Sequence, residues 1–531
     1  MPPFPPDFPP AHYFMRRALL RKQLVPVEWG MTFIASMLSV FLASLLLFLP
    51  LYAAAQTSCQ FLQVAQVPLH YAGSGLGLTM TGEINGKRAT LLPDTGAGVT
   101  YLTRTGVERH GLTQRPTGRY VQGVAGKSRL YEARVAQFTV GPVRARDLYL
   151  SVVGETSFTP RFDAIVGAAF LLQSDLEFSL ATKELRFFRP QRCGSTWLAY
   201  WDKNASVIPF RQHEELTANP QFFVHINGAR LTAMIDSGAS ITTITRRAAH
   251  RAGIDLDGPG AQRVANAHGV GKQSVGAWIA RADTFKIGDA TVHDPEFDVI
   301  DSQLSVDVLL GVDFLRTHRV LFAMSQGKLY VSYLGGQPFD SRREVRPWMR
   351  QEAEAGNADA WYTMAGMAVS ERAMNKDPAA AKAYLERAAA LGQREASLSL
   401  GVRMLVQGKP EQAATLLRAS LGEGHTGRNG ALWLYLAQLR AGDPQARAEL
   451  EARFKEHSDW PRPVVDYFLD KIDGGKLLAA SDTPARACFA ANLVLLHEET
   501  LGKPASVALP EDCKAIREQY QSAGAGTDMA L

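Results

Sequence analysis

Two short motifs set a carboxylate ahead of a small hydroxyl residue and a glycine: Asp94-Thr95-Gly96-Ala97 and Asp236-Ser237-Gly238-Ala239, 142 residues apart. Either tripeptide alone carries little meaning, but both lie in a longer repeat. Ile84-Asn85-Gly86 recurs as Ile226-Asn227-Gly228, and Gly111-Leu112 as Gly253-Ile254, again at an offset of 142. Val140-Gly141 recurs as Ile287-Gly288 at 147. Asp163-Ala164-Ile165-Val166-Gly167 matches Asp307-Val308-Leu309-Leu310-Gly311, and Phe170-Leu171 matches Phe314-Leu315, at 144. Each motif Asp is thus followed by an apolar-apolar-Gly element, 73 residues on at Gly167 and 75 on at Gly311. Landmarks that keep their order while indels fall between them mark a duplication on a shared scaffold.

The chemistry open to such a pair is general acid–base hydrolysis. Two carboxyls brought to about 3 Å cannot both ionise, so they share one proton and titrate as a unit. One takes a proton from water while the other gives one to the scissile carbonyl, with no metal, no cofactor and no side-chain nucleophile. Asp94 and Asp236 are the candidate catalytic residues. Gly96 and Gly238 leave room for backbone to approach the carboxylates. Pro93 stands before Asp94 where the second half has Ile235; it removes a donor from the strand. It either marks the strand's end or distorts the first loop and weakens the pair.

On these motifs the stretch 60–335 resembles the retropepsin-like aspartic proteases, fused in tandem in the manner of pepsin-type enzymes. The resemblance implies an aspartic-type endopeptidase acting on peptide or protein substrates. It implies two homologous all-β barrels, residues 60–195 and 205–340, forming an intrachain pseudo-dimer. Thr95 and Ser237 would bond across to the opposite loop, and the elements ending in Gly167 and Gly311 would pack behind. Substrate would be gripped as an extended strand under two hairpin flaps. The candidates are Gly123-Val124-Ala125-Gly126 and Ala267-His268-Gly269-Val270-Gly271, whose glycines (Gly123, Gly126 and Gly269, beside His268) suit a mobile tip. The rival reading is a catalytically silent peptide-binding or scaffold protein using the same cleft and the helical repeats described below.

The elements that must hold these residues read as β. Runs such as Gln221–Ile226 and Leu148–Val153 are separated by turn signals, and Asn85-Gly86 and Asn227-Gly228 are strong hairpin turns. One short helix per half is expected near Thr103–His110 and Thr245–Ala252, each closed by a glycine. Asp163 and Asp307 precede buried-looking strands and read as structural carboxylates; Asp313 has no acidic counterpart, since position 169 is Ala. His497-Glu498 lacks the second His of a zinc-protease helix, Leu501 standing in its place. Gly73-Ser74-Gly75-Leu76-Gly77 lacks the third Gly of a dinucleotide fingerprint and reads as a flexible lead-in to the first strand.

Residues 345–520 turn helical and Ala-rich. Gly356-Asn357-Ala358-Asp359-Ala360 and Gly392-Gln393-Arg394-Glu395-Ala396 lie 36 apart, while Lys376-Asp377-Pro378, Gly408-Lys409-Pro410 and Gly442-Asp443-Pro444 each open an Ala-rich stretch. This spacing resembles an all-α tetratricopeptide-like array, with a helical pair over Val464–Ala480 ending it. Such an array either binds a protein partner or buttresses the β domains.

Net charge is only +5, and there is no basic stripe interleaved with aromatics, so nucleic acid is not an expected partner. Residues 1–30 are Pro-rich and basic and read as disordered. Residues 31–52 form an uncharged apolar run behind Arg16, Arg17, Arg21 and Lys22, followed by Ala53-Ala54-Ala55. An apolar N-terminal helix over 31–55 is expected, either a cleaved signal peptide or a retained transmembrane anchor. Both place the rest of the chain outside the cytoplasm, on the periplasmic or extracellular side. All four cysteines follow the run, which permits disulfides Cys59–Cys193 and Cys488–Cys513, free buried thiols being the alternative.

Overall fold

The hairpin ahead of each motif Asp turns on Asn-Gly. Asn85 and Gly86 have φ of 51° and 76°, Asn227 and Gly228 of 49° and 79°, the left-handed pair a two-residue hairpin needs. The computed structural model describes residues 58–509 and Cys513, apart from 74, 158–159, 214–216, 340–343, 371–375, 423, 459 and 482. Residues 1–30 and the apolar run with its 31–55 segment lie outside the described residues. Among the described residues, no helix is long and apolar enough to cross a membrane.

Each β half is built on the same three-strand heart. The strand Lys87–Asp94 runs parallel to Ala164–Gly167, with Asp94 opposite Gly167. In the second half Ala229–Ile235 runs parallel to Val308–Leu310, with Ile235 opposite Leu310. Tyr101–Thr103 and Thr243–Thr245 then pair antiparallel with the distal strands. Helices Arg104–Arg109 and Arg246–Arg251 follow, capped by Thr103 and Thr245, whose hydroxyls accept from Gly106 and Ala248. Gly111 and Gly253 end them at φ of 63° and 69°.

A six-stranded sheet joins the halves. Gln60–Pro68, Glu184–Gln191 and Asp175–Ser179 come from the first, and His318–Ala323, Lys328–Tyr333 and Ser206–Pro209 from the second. Its central seam sets Leu176 opposite Phe322 and Phe178 opposite Val320. These side chains belong to one buried core spanning both halves. A disulfide joins Cys59 to Cys193, one residue before and two residues after the outer strand pair.

The flap regions differ between halves. Gln114–Gly123 and Gly126–Val140 are joined by two residues, whereas Ala261–Ala267 and Val275–Arg281 are joined by seven, 268–274. The connection before the hairpin is also five residues longer, 252–260 against 110–113, and shorter hairpin strands bring the net change of repeat offset to five.

A helical region follows, with Ala358–Val369 against Pro378–Ala390 and Arg394–Val406 against Pro410–Ser420. The recurring sequence marks are its helix boundaries. Asn357 and Gln393 cap Ala358–Val369 and Arg394–Val406, while Pro378 and Pro410 open their partners. The expected terminal pair, Arg462–Phe468 and Gly474–Ala479, does not end the array. Helix Pro484–Thr500 follows, because Phe468 and Leu477 need Phe489, Leu493 and Val494 to bury them. A disulfide joins Cys488 on this helix to Cys513.

The glycine-rich lead-in is not free. The Gly73 N–H donates to Asp359 Oδ2 at 2.8 Å, and Asn357 Nδ2 donates to the Tyr71 carbonyl at 2.9 Å. Tyr71 lies against Trp348 with ring centroids 5.0 Å apart, and Arg161 pairs with Glu395 at 3.2 Å. Met364 and Ala360 reach the β core itself. A segment whose backbone is bonded to a helix cap cannot serve as a flexible lead-in.

Candidate active site

The loop after each motif Asp folds its own backbone onto the carboxylate. Asp94 Oδ1 accepts from the N–H groups of Gly96 and Ala97, both at 2.8 Å. Asp236 Oδ1 accepts from Gly238 at 2.9 Å and Ala239 at 3.1 Å. The two carboxyls lie close enough to shift each other's proton affinity. Their close approach explains the glycines. A Cβ on Gly96 would stand 2.3 Å from Asp236 Cγ, and one on Gly238 would stand 2.4 Å from Asp94 Cγ.

The hydroxyls of Thr95 and Ser237 interlock the halves. Thr95 Oγ1 donates to the Ile235 carbonyl at 2.7 Å and accepts from the Ser237 N–H at 3.1 Å. Ser237 Oγ donates to the Pro93 carbonyl at 2.7 Å and accepts from the Thr95 N–H at 3.0 Å. Pro93 therefore serves through its carbonyl as Ile235 does. Its missing N–H falls beyond the last antiparallel pair of its strand, Met80 with Leu91. The first loop has the same bonds as the second and is not distorted.

Gly167 and Gly311 lie behind these loops. Their would-be Cβ atoms come within 2.3 Å of the Val99 carbonyl oxygen and 2.8 Å of the Ala239 carbonyl oxygen. Their N–H groups donate to Thr100 Oγ1 at 3.3 Å and Thr242 Oγ1 at 3.0 Å. Thr100 and Thr242 obey the 142-residue offset, so the duplication could have flagged them. So do Thr90 and Thr232, whose N–H groups donate to Asp163 and Asp307 at 2.8 and 2.9 Å. Asp163 also pairs with Arg109 at 2.8 Å, and Asp307 with Arg251. Both acids pin strands rather than face the dyad.

Electrostatics separate the two motif carboxyls. Burial raises Asp94 above its ordinary value, against the Ala97, Asp236 and Gly96 hydrogen bonds that pull it down. Burial raises Asp236 further, and the charge of Asp94 and the bond between the two add to that, leaving it well above the carboxylate range. One shared proton is the expected state of such a pair.

The two hairpin tips meet. The Ala125 N–H donates to the Val270 carbonyl at 2.9 Å, and the Gln273 N–H to the Ala125 carbonyl at 3.1 Å. Ser302 Oγ donates to the Val124 carbonyl at 2.7 Å. A first-half loop joins in. Gly269 N–H donates to Ser157 Oγ at 2.9 Å, Gly271 N–H donates to the Glu155 carbonyl at 3.1 Å, and His268 Nδ1 lies 3.1 Å from the Ser157 carbonyl. A Cβ on Gly123 would come 2.3 Å from the Val270 carbonyl oxygen; one on Gly126, whose φ is 92°, would only touch Gln273 at 3.8 Å. The two candidate flap tips are tied to each other in this structure, since a tip's unpaired backbone groups need partners. Glu155 and Ser157 have no local signal in the sequence.

The Aspartyl protease family model matches two stretches of this chain, residues 80–170 and 223–314. Among curated proteins, DNA damage-inducible protein 1 of Cryptococcus neoformans var. neoformans serotype D, in two strains, is 30% identical over 149 residues. That alignment covers 28% of this chain and 32% of the relative, so the chain spans about a third of the length of the curated relatives it matches. Among solved structures, an aspartic proteinase from Irpex lacteus is similar at a TM-score of 0.34 and 13% identity, covering 54% of this chain and 99% of that one. Two tandem regions of the chain thus match the aspartyl protease family, and each of them carries one Asp of the pair.

Proposed function

We propose that this chain is an aspartic-type endopeptidase that hydrolyses peptide bonds with water activated between Asp94 and Asp236. The observation that carries this is the pair of facing carboxyls, each held by two backbone N–H groups and each against the opposite loop's glycine, in regions that match the family. The ionised member takes a proton from water, and the protonated member donates to the scissile carbonyl oxygen. The catalytic unit is the intrachain pseudo-dimer, supported by the Thr95–Ser237 interlock and the shared base sheet. The test is cleavage of a complex peptide library by the full chain from acidic to neutral pH, beside Asp94→Asn and Asp236→Asn. Loss of cutting in both variants is expected; a silent parent, or a variant that cuts equally well, ends the proposal.

Two further parts of the reading go with it. The 36-residue spacing of capped helices supports a tetratricopeptide-like array, and its bonds to Tyr71 and Gly73 favour a buttress over a separate partner-binding module. The apolar run 31–52 and two disulfides support export, as a soluble or anchored enzyme on the periplasmic or extracellular side.

A further inference from the structure

We infer that Asn219 makes the two carboxyls unequal: by donating across the pseudo-dimer to the Thr95 carbonyl, it fixes Asp94 as the member that ionises first. This rests on the proposed catalytic pair and assigns the base role to Asp94 and the acid role to Asp236.

The bond comes from Asn219 Nδ2, on a second-half strand, to the carbonyl oxygen of Thr95 in the first-half loop. That oxygen belongs to the peptide unit whose N–H is that of Gly96, the donor to Asp94 Oδ1 at 2.8 Å. A donor on an amide oxygen polarises the amide and strengthens its N–H as a donor in turn. Asn219 is only 3% exposed, so water does not compete for the bond. The anion of Asp94 is what this chain stabilises, since only the anion uses the stronger N–H fully.

The duplication gives the second loop no equivalent. The 142-residue offset puts Gly77 at the position of Asn219, and glycine has no side chain to reach the Ser237 carbonyl. The second half has its own addition, Asp313 where the first has Ala169. Its Oδ1 accepts from the Thr242 N–H and hydroxyl at 2.8 and 2.7 Å and from the Phe314 N–H at 2.8 Å. Those bonds brace the strand behind the loop and do not touch the peptide that donates to Asp236. The greater upward displacement of Asp236 agrees with this assignment. Asn219 touches neither carboxyl and is a positioning residue.

The titratable groups facing the pair from neighbouring elements are Tyr101, with Arg119 of the first hairpin beside it, and Asp313 behind the second loop. Burial and then Asp94 raise Tyr101 above its ordinary value, so it stays neutral over the working range. Asp313 is common to parent and variant and cancels in the comparison.

The test is the pH profile of kcat/KM for the full chain, parent against Asn219→Ala and Asn219→Ser, on a peptide that the parent cuts. Asn219 affects the first ionisation of the pair, from both protonated to one, and leaves the second unchanged. Both variants are expected to move the acid limb upward by about half a pH unit with the alkaline limb fixed. One pH unit below the parent's acid midpoint, that is about a threefold loss beyond any change on the plateau. Movement of the alkaline limb instead would mean that Asp236 ionises first and overturns the assignment. A profile lowered evenly, with both limbs in place, would reduce Asn219 to a brace and also overturns it. Thermal unfolding checks that each variant is folded, the two sizes guarding against collapse of one. Loss of activity in Asp94→Asn and Asp236→Asn is measured alongside. If those variants still cut, the catalytic pair itself fails, a result distinct from unmoved limbs in an enzyme that depends on both Asp residues.

Discussion

Replacing Thr95 by Val keeps the shape of the side chain and removes one hydroxyl. That hydroxyl donates to the Ile235 carbonyl at 2.7 Å and accepts from the Ser237 N–H at 3.1 Å, in a site where Thr95 is 1% exposed. Two buried backbone groups lose their partner, each costing about 1–3 kcal/mol, so Thr95→Val should destabilise the β region by about 2–5 kcal/mol. Ser237→Ala leaves the Pro93 carbonyl and the Thr95 N–H in the same position, at 2.7 and 3.0 Å in the parent, and should cost a similar amount. The two hydroxyls serve one interlock, so once either is gone the halves part locally and the second loss matters less. The double variant should fall short of the summed single effects by about 1–2 kcal/mol. Scanning calorimetry of the full chain reads each single change as a fall of roughly 3–9 °C in the midpoint of the β region. Single costs below about 0.5 kcal/mol, or strict additivity, would refute the cooperative interlock.

Gly96→Ala and Gly238→Ala each push a methyl group to within 2.3–2.4 Å of the opposite carboxyl carbon, and should lower kcat/KM at least about 100-fold by displacing it, measured on a fluorogenic peptide. Asp236 binds its proton more tightly folded than unfolded. The stability this gives is present below the ordinary carboxylate range and is lost as pH rises through the raised value. The parent should therefore lose stability between mildly acidic and neutral pH by up to about 1.4 kcal/mol per unit, and Asp236→Asn should flatten that slope in urea titrations at several pH values. Cys59→Ser with Cys193→Ser opens a link between residues 134 apart and should cost about 2–5 kcal/mol, seen as a lower unfolding midpoint that falls less on adding reductant than the parent's does.

The site was legible in the sequence to the extent that the duplication copied it. Asp94 and Asp236 with their glycines recur at 142 and the elements behind them at 144, and the offset of 142 held Thr100 with Thr242 and Thr90 with Thr232 in plain view. The Asn-Gly turns and the short capped helices were legible because they depend on local conformation. What stayed hidden came from contacts across the fold. The bond from Asn219 to Thr95 spans 124 residues, and that from Ser302 to Val124 spans 178. Neither residue belongs to a motif. The docking of Asn357 and Asp359 onto Tyr71 and Gly73, 286 residues away in each case, likewise turned an expected flexible segment into a fixed one. Pro93 misled for a related reason. Its cost depends on whether a neighbouring strand still needs its N–H, and the register that answers this is tertiary.

A carboxyl pair made from two identical loops has a symmetry problem. One proton must serve two sites, yet hydrolysis needs a base on one side and an acid on the other at the moment water attacks. When two copies of a chain form such a pair, any residue that favours ionisation on one side appears on the other and cancels itself. Fusion of the halves removes that constraint, because each position can then change alone. The differences here fall where such freedom would count: Asn219 against Gly77 on one loop, Asp313 against Ala169 behind the other, and a seven-residue tip against a two-residue one. The interlock of Thr95 and Ser237 has stayed symmetric, since it holds the carboxyls together and gains nothing from inequality. Symmetry is thus retained in what sets the distance between the carboxyls and, at Asn219, lost in what sets their proton affinities.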